Sequence, residues 1–79
     1  MTAKAYIDEL NYEEFSKTKA ISDNPSFASF LAGPNDDVVA SAVLAEQCKK
    51  LGVPAEFVNT PSALHYFVVA VNNRLRGNA

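Results

Sequence analysis

Apolar residues along this chain recur mostly at helical spacing. Between Pro61 and Arg76, the residues Ala63, Leu64, Phe67, Val68, Val71 and Leu75 cluster on one side, with His65, Asn72 and Arg76 opposite. Phe27, Phe30 and Leu31 fall at i, i+3 and i+4, one helical face of a segment that Gly33-Pro34 stops. From Asn35 to Gly52 the sequence NDDVVASAVLAEQCKKLG is apolar over more than one stripe. A helix of that kind is either central to its domain or part of an interface. Phe15 and Ile21 point inward on a weakly amphipathic segment that shows Glu13, Lys17 and Lys19 outward. The pattern therefore predicts an all-α fold, a small bundle of four main helices at about 12–21, 25–32, 36–51 and 61–76.

The punctuation of the chain agrees with that division. Asn11 followed by Glu14 is an Asn version of the capping box, which places a helix start at Tyr12. Asn24-Pro25 and Thr60-Pro61 each pair a cap with a proline suited to the first helical position. Asn35 is the expected cap of the long helix, with Asp36 and Asp37 at the positive end of its dipole and Lys49 and Lys50 at the negative end. Gly33, Gly52 and Gly77 fall where helices close. A competing reading is a small α/β unit with short strands near 5–7, 27–31 and 55–58. Val53, Ala55 and Phe57 alternate as a strand would, and Tyr66 to Val71 is rich in β-branched and aromatic residues, which favour strands. Residues 1–10 suit either a short strand or the loose start of a helix.

Length makes this one small domain, residues 1–79, and a chain so short hides only about 60% of the surface it would expose unfolded. With 48% of residues apolar it has the composition of a globular fold, not of a disordered segment. The formal charge of −2 excludes polyanion binding by bulk charge, yet the charge is uneven. Residues 1–37 hold three basic and seven acidic side chains, net −4, and residues 38–79 hold four basic and two acidic, net +2. No run of about 18 uncharged apolar residues exists, so no membrane span is expected. Met1 to Leu10 carries Lys4, Asp8 and Glu9 and lacks an apolar stretch of the kind a secretory signal needs. The single cysteine, Cys48, cannot form a disulfide within the chain. These features together lead to the expectation of a cytoplasmic protein.

Little in the chain suggests chemistry. Cys48 and His65 are the one candidate nucleophile and base, but Cys48 sits on the apolar side of its helix, where a thiol is usually inert, and His65 on the polar side of another. One Cys and one His do not make a zinc set, and the acidic residues lack calcium-loop spacing, so no metal is expected. The adjacent pairs Asp8-Glu9, Glu13-Glu14 and Asp36-Asp37 point about 100° apart on a helix and share no site. Isolated glycines exclude a phosphate loop, and no serine stands in a carrier-protein setting, so no cofactor is expected and the chain does not read as an enzyme.

Two binding roles remain. The first is a regulatory or protein-interaction module that binds another protein, or a twin copy as a homodimer. Its candidate contacts are the residues off the main stripes, Val39, Val43, Tyr66 and Val69, and the basic edge of Lys49, Lys50, Arg74 and Arg76. The bland counterpart is that all four apolar residues are core. The second role is nucleic-acid binding. Leu51-Gly52-Val53, with Val58 five residues on and Cys48 at a position where a small residue is usual, resembles the turn and second helix of a helix-turn-helix. Against it stand Gln47 where the motif wants an apolar residue, Pro61 inside the recognition helix, and a segment PAEFVNT with Glu56 and no basic residue.

Overall fold

A computed structural model describes residues 2–33 and 37–77 of the chain. It is helical throughout its regular parts, with no strand among the described residues. The elements are α1 (Ala3–Glu9), α2 (Tyr12–Ser16), α3 (Lys19–Ser22), α4 (Pro25–Ala32), α5 (Val38–Lys50), a 3-10 turn (Ala55–Phe57) and α6 (Pro61–Leu75). The α/β alternative is thereby overturned: residues 5–7, 27–31 and 66–71 lie in helices, and 55–57 in the 3-10 turn.

Side-chain caps set most of the helix starts. The Thr2 side chain accepts from the Ala5 amide, and so starts α1, a helix that the ambiguous first ten residues left open. The box at α2 is complete: the Glu14 amide donates to Asn11 Oδ1 at 2.7 Å and the Asn11 amide to Glu14 Oε1 at 3.3 Å. Asn24 caps α4 and Thr60 caps α6, each followed by a first-turn proline. The end of α5 is a Schellman closure. Gly52 takes a φ of +81°, its amide donates to Lys49 O, and the Val53 amide reaches back to Cys48 O. Val53, at the position after the glycine, is buried against the core.

Three departures from the expected boundaries have physical causes. The helix expected over 12–21 is broken at Lys17-Thr18. Phe15 and Ile21 are six residues apart, so an unbroken helix would aim them about 120° from one another. The break brings both into the core, and the Thr18 hydroxyl holds it by donating to Phe15 O at 2.6 Å. The start of α5 is the second departure. Asp37, extended rather than helical, is its cap, with its carboxylate accepting from the Ala40 amide at 3.0 Å. The expected cap Asn35, and Asp36, lie outside the described residues. Third, Gly33 ends α4 at a φ of −98°, not in the left-handed region, so glycine is needed there for space: an added Cβ would stand 2.8 Å from Ser29 O.

The centre of the bundle is α6, not α5. It packs against α1, α4, α5 and the 3-10 turn, and buries Leu64, Phe67, Val68 and Val71 completely. Its strand-prone composition is overridden by this packing, which stabilises a helix more than intrinsic propensity does. The long apolar helix α5 buries only Ala40, Leu44 and Cys48, a single i, i+4, i+8 stripe. Tyr6, Phe57 and Phe67 form an aromatic cluster, with ring centroids 5.1 to 6.1 Å apart, where α1, the 3-10 turn and α6 meet.

Candidate functional site

A concavity of the described surface lies between α1 and α6 and is closed at one end by the 3-10 turn. Its volume is about 530 Å³, inside the range of roughly 300–1,000 Å³ that holds small molecules or inserted side chains. The groove exists because facing positions are small. Ala63 and Ala70, two turns apart on one face of α6, stand across from Ala3 on α1, with Phe57 at the closed end. Tyr66 and Val69 rise on the α6 side, and Tyr66 is 70% exposed.

The charges around this groove are mostly committed within the chain. Lys4 pairs with Asp8 one turn on, Nζ to Oδ2 at 2.6 Å. Arg74 reaches from α6 to the opposite end of α1, where its guanidinium donates to Ile7 O and, at 2.8 Å, to Leu10 O. The same group lies over the Phe15 ring, 4.2 Å from its centroid. Arg74 thus adds a charged donor to the Ile7 carbonyl, which also accepts from the Leu10 amide, and to the Leu10 carbonyl, and complements the dipole at the α1 C-terminus. Glu56, exposed on the 3-10 turn, makes no ion pair with any described residue.

The other contact candidates are spread over separate surfaces. Val39 is 75% and Val43 39% exposed, one turn apart on a face of α5, Val38 is 78% exposed at the start of that helix, and none of the three lines the groove. None of Val39, Val43 and Tyr66 is core. Lys49 and Lys50 are exposed in the last turn of α5, and Arg76 is exposed beyond the end of α6. Only Tyr66, Val69 and Arg74 of the eight candidates are brought together, on the groove. The groove itself was missed, because its α1 wall had no assigned helix. The repeated alanines at 63 and 70 were its one signal in the sequence.

The candidate chemistry residues are placed differently from their expected settings. Cys48 is fully buried, and burial pushes its thiol up to about 12, well out of the reactive range. His65 is half-buried rather than on a free polar face, with its ring edge against Phe30 at 5.7 Å between centroids. Among the described residues no group of three or more His, Cys, Asp or Glu side chains is arranged to hold a metal ion. No helix among them is long and apolar enough to cross a membrane. The segment that the helix-turn-helix resemblance would make a recognition helix is one 3-10 turn followed by the new cap at Thr60. No family model, curated protein or solved structure matches this chain.

Proposed function

We propose that this chain is a non-enzymatic, regulatory protein-binding module, and that partner side chains seat in the groove between α1 and α6. The observation that carries this reading is a largely apolar concavity beside a solvated tyrosine. Aromatic residues at the edge of an apolar recess are the usual anchors of protein interfaces. The inert setting of Cys48, the one nucleophilic thiol, supports a binding role over catalysis. A buried, unpaired cysteine also suits a reducing compartment such as the cytoplasm.

The test is capture of partners from a cell lysate by the tagged chain and by its Tyr66→Ser variant, each with and without nuclease. A stoichiometric protein captured by the parent chain, retained after nuclease and lost with Tyr66→Ser supports the reading. Capture that vanishes with nuclease replaces it with nucleic-acid binding, and directs attention to Lys49, Lys50 and Arg76.

A twin copy is the second reading, and the valine patch on α5 favours it. Val39 and Val43, one turn apart on one face of the helix, are both solvated, and Val38 is solvated at the helix start. Sedimentation equilibrium of the parent chain and of Val39→Asp decides it: a dimer that the aspartate dissociates supports self-association, and a monomer at every concentration removes it.

A further inference from the structure

We draw no further inference here: the strongest candidate, the apolar groove between α1 and α6, belongs to the site already described, and with Lys4 and Arg74 balancing Asp8 and Glu56 along its lining nothing in the structure shows what covers it.

Discussion

Arg74 offers the sharpest test of the fold, because its side chain joins elements more than sixty residues apart. Replacing it with alanine removes hydrogen bonds to Ile7 O and Leu10 O, the cation over Phe15, and the favourable charge at the α1 C-terminus. Hydrogen bonds from a charged donor contribute about 1.5–3 kcal/mol each when measured singly. The cation–ring contact adds about 0.5–1 kcal/mol and the dipole term about 0.3–1 kcal/mol. These terms share one side chain and the site is only partly buried, so they do not add in full. An overall loss of about 2–4 kcal/mol is expected. A domain of this size is stable by roughly 4–12 kcal/mol, so the loss is a large fraction of the whole.

Urea denaturation of the parent chain, Arg74→Ala and Arg74→Lys measures it. Both variants should lower the midpoint at an unchanged slope, as expected when stability alone is altered. Lysine should recover less than half, since an ammonium lacks the planar fork that serves two carbonyls and stacks on a ring. A loss under about 0.5 kcal/mol for Arg74→Ala, the size of an ordinary surface substitution, would refute the clasp. In that case the side chain would again be free for the partner contact that its basic charge suggested.

Other substitutions separate core from surface in the same assay. Val39→Ser on the solvated side of α5 should cost under about 0.5 kcal/mol, whereas Leu44→Ala one turn on, fully buried, should cost about 3–5 kcal/mol. Gly52→Ala should cost about 1 kcal/mol through backbone strain alone, since the new Cβ would meet nothing within 4 Å at a φ of +81°. Cys48 should resist a thiol reagent at pH 8 until the chain unfolds, which a colorimetric thiol assay with and without urea would show. Its thiol sits near 9 when exposed and is raised to about 12 in the fold, so above pH 9 the unfolded chain loses a proton that the folded chain keeps. Stability should therefore fall as pH rises from 9 toward 12, by up to about 1.4 kcal/mol per unit from this group, and Cys48→Ala should flatten the slope. Tyr6 acts in the same direction at higher pH, its phenol raised by burial and by the Glu14 and Cys48 charges, so the flattening is partial.

Features governed by near neighbours were legible in the sequence. The caps at Asn11, Asn24 and Thr60 and the closure at Gly52 each depend on residues within five positions, and all four stand where the residue types placed them. What was not legible depends on distant parts of the chain. Whether α1 forms turns on its packing against α6, some sixty residues away, and the groove is the space left between those two helices. The break at Thr18 follows from the need to aim both Phe15 and Ile21 at one core, which a single unbroken helix does not allow. Arg74 was read as part of a basic contact edge, because nothing local reveals that the side chain crosses to α1.

The difference between α5 and α6 bears on function as well as on fold. Both are apolar over more than one stripe, but α6 has neighbours on several sides and α5 packs on α3, α4 and α6 from one side. A helix approached from one side buries one stripe, and in α5 this is Ala40, Leu44 and Cys48. Val38 and Val39 are then left without a structural explanation, because they bury little and valine is a poorer helix former than the alanine or glutamate that would suit a solvated position. Replacing both by glutamate should leave stability unchanged or slightly raised, from the gain in propensity and from negative charge at the helix start. If the double variant instead loses more than about 1 kcal/mol, the valines are held by contacts within the fold and the patch ceases to be a candidate for a twin copy. If it keeps its stability, the two valines are free for contacts outside the chain, and the sedimentation experiment tests the contact they are best suited to make.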